Sequence, residues 1–260
     1  MRAWLQRWRE TRTLEKRAIP EPLWQLTLAR FPFLSYRHAG DVARLRDMTT
    51  LFLARKEFTG AQGLVVDDEM AVAVAAQACV PVLELGLAWY DGFIGIVVHA
   101  DAVVARREFT DDAGVVHEYE EELSGEAMHG GPVMLSWVDV DEAGESAEMG
   151  YNVVIHEFAH VLDMRDGQAD GVPPLPDRAS RDEWLQVLSE EFDGFCERVD
   201  AGQDTLLDPY GAQAPEEFFA VASEAFFVAP LNFQAEHKRL YALLQGFFRQ
   251  DPAAHAPISG

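Results

Sequence analysis

His156, Glu157 and His160 stand in the order H-E-x-x-H, with Phe158 and Ala159 between them. The spacing has a chemical consequence. On an α-helix, residues four apart lie on one face, one turn above the other. Two imidazoles so placed can hold one metal ion together, and the pattern is the signature of zinc hydrolase helices. Glu157 then flanks the open coordination position where water sits. Zinc lowers the pKa of that water, and the carboxylate can accept its proton.

The surroundings supply the helix. Tyr151 and Asn152 precede the motif, and Asn152 is a plausible N-cap. Val153, Val154, Ile155, Phe158, Ala159, Val161, Leu162 and Met164 make the segment apolar nearly all round, which predicts a buried central helix. Asp166-Gly167 supplies a stop. Two histidines and a glutamate in so apolar a helix are costly to desolvate unless something satisfies them. A metal does so. A pair of hydrogen-bonded core histidines is the plainer alternative.

Catalytic zinc takes three protein ligands plus water. Cys79 and Cys196 are isolated and read as core residues or inert thiols. His38, His99, His117, His129, His237 and His255 are scattered, each more readily a surface or structural histidine. A better third ligand is acidic. Residues Pro215 to Phe227 read as a second buried helix, with Pro215 in its first turn and Glu216 and Glu217 near the positive end of its dipole. Glu217, Val221 and Glu224 share a face of that helix. Either first-turn glutamate could instead be a solvated dipole partner, which suits Glu216 better. The local pattern does not choose between them.

Several motifs in one order extend the picture. They are Pro81 to Leu87 with Trp89 and Asp91-Gly92-Phe93, Gly131 to Trp137, Val154 to Arg165, Gly171-Val172-Pro173, Tyr210, the Pro215-to-Phe227 helix and Gln250-Asp251-Pro252. In these the chain resembles the zinc peptidase family of Mlc titration factor A, across nearly its whole length. That family is similar to the catalytic domain of anthrax lethal factor and is of gluzincin type, H-E-x-x-H plus a glutamate. The resemblance implies one Zn²⁺ per chain, held by His156, His160 and Glu217. It implies Glu157 as general base and Tyr210 as hydrogen-bond donor to the developing oxyanion or the leaving group. An ordinary loop aromatic is the alternative for Tyr210. Asp163 and Glu224 are candidates to orient the ligands, or ordinary salt-bridge partners. The segment Gly131 to Val138 reads as a strand, either an edge that pairs with substrate backbone or a central core strand.

The 260 residues are enough for one large domain or two small ones, and 48% apolar content is enough to bury a substantial core. With 21 basic and 44 acidic side chains the formal charge is −23, which opposes generic binding to nucleic acid or anionic membrane. Two cysteines make no secreted-type disulfide framework, and no apolar run reaches membrane-span length. A cytoplasmic setting is expected. The start, Met1 to Arg9, is basic and lacks an apolar signal core. It reads as an arm packing Trp4 and Trp8 on the body, with an amphipathic helix resting on lipid or a partner as the alternative.

Helical periodicity occupies residues 20–56, with Pro20 and Pro22 opening one helix and Asp41 a candidate cap for the next. Glu69 to Leu87 reads as helix with a break at Pro81. Phe93 to Val98 reads as a strand, and Val103-Val104 and Val115-Val116 flank a hairpin-like turn at Asp111 to Gly114. Asp182 to Val199 and Ala235 to Arg249 look helical. Few strands and many helices in segregated runs predict an α+β fold. The resemblance makes it zincin-like, with a small mixed sheet, a central H-E-x-x-H helix and added N-terminal helices. The expected organisation is a basic arm over residues 1–19, one metallopeptidase domain over 20–250 with its N-terminal helical part at about 20–90, and a tail at 251–260.

The implied activity is hydrolysis of peptide bonds in a peptide or protein substrate, aminopeptidase-type activity included. The implied alternative is a weakly catalytic or non-catalytic regulator that sequesters a transcriptional repressor such as Mlc. A deformylase-like hydrolase is disfavoured because Gln77 to Pro81 does not resemble the cysteine motif it needs. A structural metal site is disfavoured for want of a fourth protein ligand.

Overall fold

The computed structural model describes residues 2–110, 116–123, 125–146 and 150–257. In chain order the elements are α1 (Arg2–Arg17), α2 (Glu21–Arg30), α3 (Ala39–Arg55), β1 (Glu57–Gly60), α4 (Asp68–Cys79), β2 (Gly95–His99), β3 (Val103–Thr110), β4 (Val116–Leu123), β5 (Gly125–Ala127), β6 (Val133–Ser136), α5 (Trp137–Ser146), α6 (Val153–Asp163), α7 (Arg178–Asp200), α8 (Pro215–Val228), α9 (Pro230–Glu236) and α10 (Lys238–Phe248). The architecture is the expected α+β one, a small mixed sheet among many helices.

The strand order is β1-β2-β6-β5. β1, β2 and β6 run parallel, and β5 lies antiparallel to β6 with Gly125 opposite Leu135 and Ala127 opposite Val133. β6 is therefore central, and the sheet edge nearest the motif helix is β5. This settles the two readings of the Gly131-to-Val138 segment in favour of a core strand. Its outer end turns into α5 at Trp137. β3 and β4 form a separate antiparallel ribbon. The turn expected between them at Asp111 to Gly114 lies outside the described residues.

Local chemistry sets the helix ends. Asp67 caps α4 by accepting from the Met70 N–H at 2.9 Å, and Asp68 and Glu69 complement the helix dipole. α4 stops at Cys79, short of Pro81, whose ring carries no N–H to continue the ladder of helix hydrogen bonds. The predicted break is thus a true terminus, followed by turns. Asp41 does not cap α3; His38 occupies that position, and Asp41 sits in the first turn, paired to Arg44 at 2.8 Å. The 235–249 helix is two elements, α9 and α10, meeting at His237.

α1 departs from expectation. Trp4 is 67% exposed and Trp8 49% exposed, so neither tryptophan packs on the body. Helical geometry explains the difference. The half-buried residues of α1 include Glu10, Thr13 and Leu14, and Glu10 pairs with Arg55 of α3 at 2.7 Å. At about 100° per residue, Trp4 and Trp8 fall on the side opposite that stripe.

One contiguous cluster of buried side chains runs from Ile19 to Phe248. The motif helix lies inside it. Phe158 meets Phe52, Tyr90 and Phe93 with ring centroids at 5.8, 5.0 and 5.8 Å. These contacts anchor the face of α6 opposite its histidines to α3 and to the loop before β2. Phe158→Ala should lower the stability of the folded chain by about 3–5 kcal/mol, because a fully buried ring is replaced by a cavity. Chemical denaturation of the variant beside the parent measures it.

Candidate metal centre

The centre is built where α6 crosses α8. The Asn152 side-chain oxygen accepts from the Ile155 N–H at 2.9 Å, which starts α6 as the sequence predicts. Its amide group donates to Gln77 of α4 at 2.7 Å. Its own backbone N–H donates to the Glu224 carboxylate. Glu224, seven residues after Glu217 on α8, also meets His156 Nδ1 at 2.7 Å. One buried carboxylate therefore fixes both the first turn of α6 and the ring of its first histidine.

His156 Nε2 lies 3.1 Å from Glu217 Oε2, His160 Nε2 lies 3.3 Å from the same oxygen, and the two nitrogens are 3.2 Å apart. The three atoms form a nearly equilateral triangle. Around a tetrahedral ion with bonds of about 2.0–2.1 Å, ligand atoms sit about 3.3–3.4 Å from one another. The observed edges fit such an ion. Among the described residues this is the group whose donors converge in this way, and Glu216 is outside it. Three of the six other histidines are used elsewhere: His38 packs edge-on against His255 at 4.2 Å, and His237 meets Glu191 at 3.0 Å.

The charges ask for a cation. Burial alone would lower the His156 pKa, but Glu224 and Glu217 outweigh it and hold the ring well above its usual value. Burial works against ionising Glu217, yet its contacts with His156 and His160 bring it down to about 2. Glu224 is raised by burial despite His156. Anionic oxygens thus gather around the two imidazoles, and a bound cation would satisfy all of them at once.

Glu157 follows His156 on α6, and its side chain lies under the start of β5. It is 5% exposed, and its Oε2 has no hydrogen-bond partner among the described residues. Burial raises its carboxyl to about 7, with the two histidines pulling down and Glu217 and Glu224 pushing up. β5 lies directly over it. A Cβ on Gly125 would stand 2.5 Å from Glu157 Oε1 and 2.6 Å from its Cγ. Gly125 has no positive φ, so the requirement is for space and not for conformation. Sequence reasoning missed both β5 and this glycine. A three-residue strand leaves too short an alternation to detect.

Tyr210 stands beside the cluster, its ring centroid 6.0 Å from that of His156. It is carried on a turn over Pro209–Ala212, whose start is fixed by Asp208 accepting from the Tyr210 N–H at 2.8 Å. The two orienting candidates separate. Glu224 holds His156, whereas Asp163 turns away and accepts from the Gly171 N–H at 2.8 Å, closing the loop after α6. Burial lifts the Asp163 carboxyl to about 7. The thiol of Cys79 is fully buried and pushed up by that burial, as an inert core thiol should be.

A mixed sheet edge laid over an H-E-x-x-H helix, closed by a glutamate from a second helix, places the chain among the metallopeptidase folds. The family model of the glucose-regulated metallo-peptidase M90 matches residues 5–249, and the chain belongs to that family. It is 36% identical over 251 residues to an uncharacterized protein of Synechocystis sp., covering 96% of this chain and 90% of that one. Mlc titration factor A of Salmonella arizonae is 36% identical over 236 residues, 89% of this chain and 92% of the relative. Mlc titration factor A of Klebsiella pneumoniae is 35% identical over 240 residues, 91% and 89% of the two chains.

Two outcomes follow from this geometry. Gly125→Ala should displace the Glu157 carboxylate and leave His156, His160 and Glu217 superposable on the parent, as a crystal structure of the variant would reveal. The second concerns pH. Burial lifts the Asp163 carboxyl to about 7 in the folded chain, above its ordinary value of 3.8, so the native state holds the proton more tightly. The resulting stabilisation is full below about pH 4 and lost as pH rises through 7. In metal-stripped protein, Asp163→Asn should flatten that decline in a denaturation series between pH 4 and 8.

Proposed function

We propose that the protein is a zinc-dependent peptidase in which His156, His160 and Glu217 hold one Zn²⁺ per chain. The observation that carries this is the triangle of donor atoms with 3.1, 3.2 and 3.3 Å edges, flanked by the buried carboxylate of Glu157. Two imidazoles and a carboxylate are a donor set that suits zinc in a catalytic site. When bound there, zinc supplies Lewis acidity, acidifying water and polarising a carbonyl.

The chain's own residues do the rest. Glu157 accepts a proton from the attacking water and delivers it to the leaving amine. Its elevated pKa of about 7 suits a group that must both take and give a proton near neutrality. The desolvated wall under Gly125 keeps that carboxylate in one place. Glu224 fixes the His156 ring so that Nε2 points into the centre. Tyr210, on the flank of His156, donates a hydrogen bond to the oxygen that gains charge or to the leaving group. Among the described residues β5 is the outer strand of the sheet on the side of α6, the place that a substrate-pairing strand takes in the reading considered for Gly131 to Val138.

The same reading takes residues 20–250 as one metallopeptidase domain, supported by the single buried cluster from Ile19 to Phe248. It places the protein in the cytoplasm, supported by two unpaired cysteines. Among the described residues no helix is long and apolar enough to cross a membrane. Nucleic acid is not expected as a partner, given the charge of −23.

A second reading rests on the name Mlc titration factor A carried by the Salmonella and Klebsiella relatives. In it the chain acts by binding a transcriptional repressor, and hydrolysis is weak or absent. Aminoacyl chromogenic substrates and N-blocked peptides, assayed with and without chelator, separate the two. Chelator-sensitive turnover supports the peptidase; no turnover with retained repressor binding supports the regulator.

Glu157→Gln should retain one zinc per chain and lose about 10²–10⁴-fold in turnover, because the ligands survive and the base does not. Equal turnover by variant and parent defeats the mechanism. His160→Ala should lose the zinc itself, read by metal analysis after gel filtration; a full complement of zinc in that variant contradicts the ligand assignment.

A further inference from the structure

The charge of this chain is unevenly placed. Residues 1–56 carry 12 basic and 5 acidic side chains, whereas residues 57–260 carry 9 and 39. The total of −23 therefore hides a cationic end on an acidic body. The difference is sharpest in α1, where Arg7, Arg9, Arg12, Lys16 and Arg17 are all exposed. Such asymmetry between parts of one chain marks proteins that meet a polyanion or a lipid surface.

α1 also turns apolar surface to solvent. Trp4 is 67%, Leu5 42% and Trp8 49% exposed. With each residue turned about 100° from the last, these three fall within an arc of about 100°. Arg12 shares that arc, its guanidinium 5.3 Å from the centroid of the Trp8 ring. Arg7 flanks the arc on one side, and Arg9 and Lys16 flank it on the other. Glu15 stands on the same side but seven residues past Trp8, about 10 Å along the axis. The other acid of the helix, Glu10, is turned to the body and paired to Arg55 of α3 at 2.7 Å. That pairing, with half-buried Thr13 and Leu14, fixes which face of α1 looks outward.

Two indoles and a leucine bordered by guanidiniums match the boundary of a lipid layer. Indole rings settle at headgroup depth, the ring against the acyl chains and the N–H among polar groups. Guanidiniums on the same face reach the phosphates. The strip is convex, on the outside of one helix, and a fluid surface accepts it without a fitted groove. A partner that offered negative charge alone would leave the indoles in water. The acidic body does not forbid the contact, because charges farther off than about 8 Å are largely screened at physiological ionic strength. Its repulsion from an anionic layer favours the orientation in which α1 makes the contact.

We propose that α1 docks the protein on an anionic lipid surface through the face of Trp4, Leu5 and Trp8. The contact is interfacial and reversible. One short helix rests in the headgroup layer and spans nothing. It needs neither the metal centre nor turnover.

The test mixes full-length protein with vesicles of phosphatidylcholine, either alone or with about one part in three of phosphatidylglycerol, and reads binding by co-sedimentation. The mixed vesicles should bind at least tenfold more tightly than the neutral ones, and about 0.5 M salt should remove most of that margin. The pair Trp4→Ser and Trp8→Ser, and separately the set Arg7→Glu, Arg9→Glu and Arg12→Glu, should each weaken binding at least tenfold with an unchanged thermal midpoint. No binding to mixed vesicles, equal binding to both kinds, or variants that bind like the parent overturns the proposal. Brominated acyl chains give a reading that needs no variant. They should quench part of the parent's tryptophan fluorescence on mixed vesicles, and bound protein without quenching overturns the contact. Two other occupants are read without lipid. A concentration-dependent dimer in sedimentation velocity, abolished by the tryptophan pair, assigns the face to a second copy. Capture by soluble poly-glutamate with no binding to vesicles assigns it to an acidic protein. Either result overturns the lipid contact.

Discussion

The carboxylate of Glu224 holds the centre in register. It is 1% exposed and takes hydrogen bonds from the Asn152 backbone and from the His156 ring. A buried carboxylate must be paired to remain ionised, and here both partners belong to the first turn of α6. That single pairing sets the height and rotation of α6 against α8. Glu217, two turns earlier on the same face of α8, then has one place to go, between the two histidines. The apolar packing around Phe158 fixes the opposite side of α6, so the helix is clamped between an aromatic cluster and a carboxylate.

From that clamp follows the division of labour among the glutamates. Glu217 is drawn down to about 2 by the histidines it meets, while Glu157 is lifted to about 7 by its burial. Two carboxyl groups of the same chemistry are pushed apart by environment. One is suited to permanent negative charge beside a cation, and the other to exchanging a proton.

Much of the centre was legible in the sequence because helical periodicity makes it local. Asn152, His156 and His160 are read from one helix, and their roles as cap and paired donors need only the 3.6-residue repeat. Glu217 and Glu224 share a face for the same reason, but choosing Glu217 over Glu216 required the family resemblance, since only the crossing of two helices decides which carboxylate arrives. The sheet was less legible. β1 and β5 span four and three residues, and parallel neighbours such as β2 and β6 are joined through a long excursion that no local pattern encodes. The tryptophans of α1 misled because an aromatic residue is ordinarily expected inside. Their angular position relative to Leu14, and not their hydrophobicity, determined where they ended.

The brevity of β5 has one more effect. An exposed sheet edge is a template for unwanted pairing with other copies of the chain, and long flat edges propagate into aggregates. Three residues ending at a loop with Gly130 in left-handed geometry are too few to seed an extended ladder. A border this short keeps the sheet from becoming a nucleus for fibres.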